Sequence, residues 1–225
     1  MRIIYVDSME DTSTFSSLYD NIEGSTLLFN PTREEVVNIL TERPNERLMC
    51  FGHGTRRGLF SHDLEEMVID GSMVHLLRDR DIIGIWCYAS DFGMIHNLRG
   101  FFTNMFISNR EECVYNRCGY YPNNDIIFAE NRLFAERINK LICNNTPLED
   151  WYEILNESLN SDLEFVNFNY ANLSYLDGNV NSDILKLLVE GEQLMQAEPH
   201  LWEGEDIAEE ERDIDWDMFF GEEDE

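Results

Sequence analysis

The sequence is short of positive charge: 16 lysines and arginines stand against 45 aspartates and glutamates, a formal charge of −29 over 225 residues. A field of that sign repels nucleic acid phosphates and anionic lipid headgroups, so neither nucleic acid nor a membrane surface is an expected partner, whereas basic proteins and peptides are favoured. Long apolar runs are also missing, and no stretch approaches the ~18 uninterrupted apolar residues of a bilayer-spanning helix. The opening Met1-Arg2-Ile3-Ile4-Tyr5-Val6-Asp7 reads as a strand rather than as an export signal. Five cysteines, an odd number without framework spacing, point to reduced thiols and a cytoplasmic location rather than to a disulfide scaffold.

Several kinds of chemistry lack their residues. Gly52, Gly54 and Gly58 have neither the Lys-Ser/Thr ending of a P-loop nor the GxGxxG spacing of a dinucleotide site. There is no Gly-x-Ser-x-Gly elbow for a serine hydrolase. Cys113 and Cys118 are not joined by a second ligand pair, so no zinc site is expected, nor any other metal or cofactor. His62, His75 and His96 read as surface or helix-face residues, and His200 lies near the C-terminus.

What is there suits one α/β domain over residues 1–197 with C-terminal helices, followed by an acidic flexible tail over 198–225. The tail holds 14 acids and one base, Arg212, and contributes −13 of the net charge. Within it Asp213-Ile214-Asp215-Trp216-Asp217-Met218-Phe219-Phe220 interleaves acids with large apolar groups, a composition suited to a basic, apolar groove on a partner. Four β-branched or aromatic runs read as strands: Arg2–Asp7, Thr26–Asn30, Leu48–Gly52 and Ile82–Cys87. Their near-continuous apolar character predicts a sheet covered on both faces. Helices are expected over Pro31–Leu40, Asp11–Tyr19, Asn131–Cys143 (with Leu133, Phe134, Ile138, Leu141 and Ile142 inward), from Thr146 (with Trp151, Ile154, Leu155 and Leu159 inward) and over Ser182–Met195. Gly100–Ser108 is apolar but ambiguous between strand and buried helix end. Alternation of strands and helices predicts a mostly parallel, layered sheet.

Two inner strands end in reactive side chains, Leu48-Met49-Cys50-Phe51-Gly52-His53-Gly54 and Ile82-Ile83-Gly84-Ile85-Trp86-Cys87-Tyr88-Ala89-Ser90-Asp91-Phe92. Catalytic groups of open α/β sheets gather beyond the carboxyl ends of the strands, where His53 and Cys87 would lie. A thiol works as its thiolate, so an imidazole that takes up its proton supplies what nucleophilic chemistry requires. The backbone N–H groups of Gly54 and Cys87 are placed to hold an oxyanion.

An apolar strand ending in His-Gly, then an apolar strand ending in Cys and a small-residue turn, resembles the caspase, legumain, gingipain and clostripain group of cysteine peptidases. The run Cys87-Tyr88-Ala89-Ser90-Asp91-Phe92 looks especially like the gingipain-type nucleophile turn. The resemblance covers roughly residues 1–145. It implies a three-layer α/β sandwich with a mostly parallel central sheet, helices on both faces, and a thiol protease that hydrolyses a protein or peptide substrate. Two departures stand out. His53 and Cys87 are 34 residues apart, against about 50 for caspases, and Ile85 occupies the position where relatives commonly carry Asp, Glu or Gln to line the substrate pocket. Asp7 is a second candidate for that pocket, and Arg56 and Arg57 are candidates for holding an acidic group, although both also read as solvated loop charges. Asp91 reads either as a residue that orients the cysteine turn or as the N-cap of a helix from Phe92, the second being favoured. The reading is a cysteine endopeptidase regulated by its acidic tail. The alternative, favoured by Ile85, is a catalytically silent module of the same fold that binds a basic protein through residues 198–225.

Overall fold

All four apolar runs become parallel strands of one sheet in the computed structural model, which describes residues 1–7, 10–118, 122–157 and 159–179. The compact unit spans Met1–Val180; the expected helix Ser182–Met195 and the acidic stretch from residue 198 lie outside the described residues. The strands are β1 (Arg2–Tyr5), β2 (Thr26–Phe29), β3 (Leu48–Phe51), β7 (Ile82–Ile85) and β8 (Arg99–Thr103). They lie in the order β2-β1-β3-β7-β8, all parallel, and β9 (Leu173–Asp177) closes the sheet antiparallel to β8. Between β3 and β7 the chain folds a small antiparallel sheet of β4 (Gly54–Thr55), β5 (Gly58–Phe60) and β6 (Met67–Asp70), which the sequence reading did not anticipate. The ambiguous Gly100–Ser108 resolves into β8 and an irregular stretch after Thr103.

Successive strand residues face opposite sides, and each side has its own core. Ile3, Tyr5, Met49, Phe51, Ile83, Ile85 and Phe101 pack with Ile127, Phe134 and Ile138 of α6 (Asn124–Cys143), Trp151 and Leu155 of α7 (Trp151–Glu157) and Phe165 of α8 (Glu164–Ala171). Ile4, Val6, Leu48, Cys50, Ile82 and Phe102 pack with Val36 and Leu40 of α2 (Arg33–Glu42), Leu77 of α3 (Val74–Leu77) and Phe92 of α4 (Ala89–Ile95). Helices therefore cover both faces of a mostly parallel sheet. All eight residues of β3 and β7 are buried, as their unbroken apolar sequence predicts. β2 departs from that expectation: it is equally apolar but lies at the sheet's edge and is mostly exposed.

Local chemistry sets the helix ends. Thr32 accepts from the Glu35 N–H at 3.3 Å and Glu35 accepts from the Thr32 N–H at 2.8 Å, a reciprocal cap that starts α2 after Pro31. The helix expected over Asp11–Tyr19 is instead a short α1 (Glu10–Ser13) running into a 3-10 segment, Thr14–Tyr19. α6 begins seven residues before the expected Asn131, where the Asn123 side chain caps Ile126 N–H at 3.1 Å. Leu133 and Ile154, expected inward, are exposed because each lies beside rather than on the stripes of Ile127, Phe134 and Ile138 and of Trp151 and Leu155. Asp91 is not the cap of α4: the helix starts at Ala89, which places Asp91 in its first turn.

Arg80 is the one described arginine buried to 1% exposure, and it is held by carbonyls rather than by a carboxylate. It donates to Leu76 O at 2.9 Å, to Leu40 O in the last turn of α2 at 3.0 Å and to Glu46 O at 3.4 Å. Burial pulls its pKa below the usual value and pushes the neighbouring Cys50 thiol up. Arg80→Met leaves those carbonyls unpaired while relieving the cost of a buried cation, so a net loss of about 2 kcal/mol is expected in urea unfolding. An unchanged midpoint would show that water replaces the guanidinium at no cost.

Candidate active site

His53 and Cys87 come together because of strand register. Each paired residue of β3 and β7 is offset by 34 positions, from Leu48↔Ile82 to Phe51↔Ile85, and the same interval separates His53 from Cys87. Gly52 N–H continues the ladder to Ile85 O at 3.2 Å, so the two side chains follow at the same level beyond neighbouring strand ends. The spacing that departs from the caspase pattern therefore equals the offset between the two paired strands.

They share one narrow apolar cleft, a cavity of about 30 Å³ lined by Thr12, Phe15, Phe51, Gly52, His53, Ile85, Trp86, Cys87, Phe106 and Ser108. The Cys87 Sγ lies 3.6 Å from Phe106 O. Behind Cys87 the chain turns sharply, with Ala89 N–H returning to Trp86 O at 3.1 Å. Tyr88 at the corner has φ +65°, a left-handed conformation costly for a bulky residue and tolerated where its surroundings enforce it. The surroundings are specific. Trp86 donates its indole N–H to Thr55 O at 3.1 Å and accepts at its carbonyl from the Thr103 hydroxyl at 2.8 Å. Arg56 lies 5.8 Å above the Tyr88 ring and 3.7 Å from the Asp91 carboxylate. Burial, then the adjacent Cys87, push the Tyr88 hydroxyl above its usual pKa, and burial also raises that of Asp91, with Arg56 opposing both shifts.

Gly54 sits where only glycine fits, since a Cβ would fall 2.3 Å from Trp86 Cδ1 and 2.6 Å from Gly58 O. Phe60 N–H donates to His53 O at 2.9 Å, which makes Gly54↔Leu59 the pair whose amides point away from the β4–β5 ladder.

The remaining sequence candidates divide. Ile85, 4% exposed, forms part of the cleft floor. Asp7 stands one side chain away, accepting from the Thr12 hydroxyl at 2.8 Å, while its N–H binds the Asn30 side chain at 2.7 Å. Arg56 and Arg57 do not line the cleft: Arg56 braces Asp91 and Tyr88, and exposed Arg57 donates its backbone N–H to Thr55 Oγ1 at 3.1 Å. Among the described residues no three His, Cys, Asp or Glu side chains cluster as metal ligands would.

Thr12, Phe15, Phe106 and Ser108 were not legible as site residues, and neither were the groups that hold Phe106 and Ser108 in place. Asn169 accepts from Ile107 N–H at 2.7 Å and donates to Ile107 O at 3.0 Å, and Asn131 donates to the same oxygen at 3.3 Å. Both asparagines are buried on the apolar faces of α6 and α8, and a polar residue at that helical spacing is the one signal that marked them. Ser108 is tied by its N–H and hydroxyl to Glu112 of α5 (Arg110–Tyr115) at 2.6 and 2.8 Å. Asn169→Leu strands the Ile107 N–H and leaves its carbonyl with the Asn131 amide alone. A loss of about 2–3 kcal/mol is expected, with faster amide exchange at Ile107 while the β3 and β7 amides stay protected; uniform exchange would refute a local role.

No family model, no curated protein and no solved structure matches this chain, so the site stands on its own geometry.

Proposed function

We propose that this protein is a cysteine peptidase in which Cys87 and His53 form the catalytic pair, on a three-layer fold like that of the caspase group. The observation that carries the proposal is the level placement of the two side chains beyond β3 and β7 in one cleft. The mostly parallel sheet with helices on both faces suits that fold. All five cysteines are free thiols, which suits a reducing compartment such as the cytoplasm.

The reaction follows from the chemistry of the pair. His53 takes the Cys87 proton, and the sulfur attacks the scissile carbonyl carbon while the π electrons move onto oxygen. The N–H groups of Gly54 and Cys87 stabilise that oxyanion. When the carbonyl re-forms, the C–N bond breaks and His53 gives its proton to the leaving amine. Water, deprotonated by His53, then attacks the thioester; the C–S bond breaks to return the thiolate and release a carboxylic acid. Around the pair the cleft offers Phe15, Phe51, Ile85 and Phe106, so it favours an apolar group over a charged one.

Alkylation of Cys87 across pH tests the pair. Wild type is expected to react at lower pH than His53→Ala, and peptide cleavage should fall on the order of 10²–10⁴-fold in His53→Ala and vanish in Cys87→Ala. Labelling of Cys87 that is slow and indifferent to His53 would sink the catalytic reading and leave the silent binding module.

A further inference from the structure

Sheet edges expose unpaired backbone groups and are ordinarily blunted by proline, lysine, bulges or a covering element. β2 has few of these defences. It is the terminal strand of the sheet, its register with β1 is unbroken from Arg2↔Thr26 to Tyr5↔Phe29, and its sequence Thr26-Leu27-Leu28-Phe29 carries no charge. Thr26 N–H donates to Met1 O at 3.1 Å and Asn30 N–H to Tyr5 O at 2.8 Å. Bonding direction alternates along a strand. Thr26, Leu28 and Asn30 therefore bond inward to β1, and Leu27 and Phe29 direct their N–H and C=O outward.

The side chains on this edge are apolar and exposed, Leu27 by 40% and Phe29 by 55%. Phe29 is supported from behind by an edge-on contact with Tyr5, ring centres 5.2 Å apart. Beside the strand, toward α2, runs a groove of about 380 Å³ lined by Leu27, Leu28, Phe29, Pro31, Ile39 and Asn38 together with two carboxylates, Glu35 and Glu42. Among the described residues no lysine or arginine lines it. Arg2, next to Thr26, is already 2.7 Å from Glu46. Glu35 is held as a carboxylate by the Thr32 N–H and hydroxyl, which lower its pKa.

We propose that the outer edge of β2 docks an extended segment of a partner protein in which apolar residues alternate with lysine or arginine. The segment would add as a strand, its backbone on the Leu27 and Phe29 amides, which is β-augmentation. Residues of a strand alternate between faces, so one set of its side chains would meet Leu27 and Phe29 and the other would meet Glu35 and Glu42. Charge selects this occupant over the others. A second copy would bring the same carboxylates and another −29, and the 198–225 segment brings −13, against a groove that is itself acidic. This surface does not depend on the His53 and Cys87 pair having any activity.

The test uses the full chain and three labelled heptapeptides. One alternates as Lys-Val-Arg-Leu-Lys-Val-Arg, one has glutamate for each base, and one has the first composition with its apolar residues clustered. Fluorescence anisotropy is expected to show binding of the first alone, weakening as salt rises. Hydrogen exchange should slow at Leu27 and Phe29 on binding. Leu27→Pro removes an outward N–H without touching the ladder to β1, and Glu42→Lys reverses a groove charge on the surface; each should weaken binding about tenfold with the thermal midpoint retained. The proposal is overturned if the acidic or clustered peptide binds as well, if no peptide binds, or if both variants bind like wild type. It is also overturned if the Leu27 and Phe29 amides are protected before peptide is added. Concentration-dependent dimerisation lost in Leu27→Pro would assign the edge to a second copy and overturn it too.

Discussion

The parallel pairing of β3 with β7 is the constraint on which the candidate site rests. A slip of one residue would turn every side chain of one strand to the opposite face, carrying Cys87 away from the helical layer in which Phe15 and Phe106 lie. The register is well specified because both strands are buried on both sides, so a slip would disturb two cores at once. It is also shape-coded. Cys50 faces Gly84, and a Cβ on Gly84 would fall 2.7 Å from Phe102 Cδ1 and 2.9 Å from a ring carbon of Trp86. The absent side chain lets Trp86 fold back over the strand, and Trp86 is the residue that sets the chain leaving β7 on its course.

From that course follows the rest of the cleft. The strands supply only two of its sides. The others come from the 3-10 segment before β2, through Phe15, and from the irregular stretch after β8, through Phe106 and Ser108. Irregular backbone in a core is costly unless its polar groups are paired. Here Asn169 and Asn131 do what a neighbouring strand would do, satisfying Ile107 from helices α8 and α6. The strained Tyr88 is a similar case. Its left-handed backbone is sustained by a tight turn behind it and by Arg56, which bridges from the small sheet to Asp91. The small sheet thus has a structural task beyond carrying Gly54: its loop braces the turn that presents Cys87.

Much of the fold was legible in the sequence because it is written in local periodicity. Continuous apolar runs bounded by turns located β1, β2, β3 and β7, and apolar residues at helical spacing behind an acidic first turn located α2. His53 and Cys87 were legible because a polar, reactive residue closing an apolar strand violates the pattern around it. What escaped detection depends on distant pairing. β4 and β5 are two and three residues long, too short to carry a period, and β6, as long as β1, follows the acidic loop over residues 63–66 and pairs only with β5. Thr12, Phe15, Phe106 and Ser108 look like ordinary core or loop residues until the sheet gathers them from both sides of the chain. Arg56 and Arg57 read two ways in the sequence, as holders of an acidic group or as solvated loop charges, and only the fold shows Arg56 carried to Asp91 of α4. β2 shows a further limit, since its composition matches that of the inner strands and only the sheet order reveals it as an edge.

Charge and shape act on different scales in this molecule. The net −29 is felt over roughly a Debye length, about 8–10 Å at physiological salt, and biases which proteins approach. It says little about what fits once contact is made. At contact the cleft beside Cys87 presents Phe15, Phe51, Ile85 and Phe106, and the β2 edge presents Leu27 and Phe29. An acidic envelope around apolar contact surfaces discriminates twice, first against anionic molecules at a distance and then against polar chains at close range. The β2 edge joins the two criteria within one strand's width, since its outward amides lie between apolar side chains and the carboxylates of Glu35 and Glu42. A partner matching only the charge would gain no buried area there, and one matching only the apolar surface would lack the long-range attraction. Selection for alternation of the two is what a pleated strand, with its two faces, is built to exert.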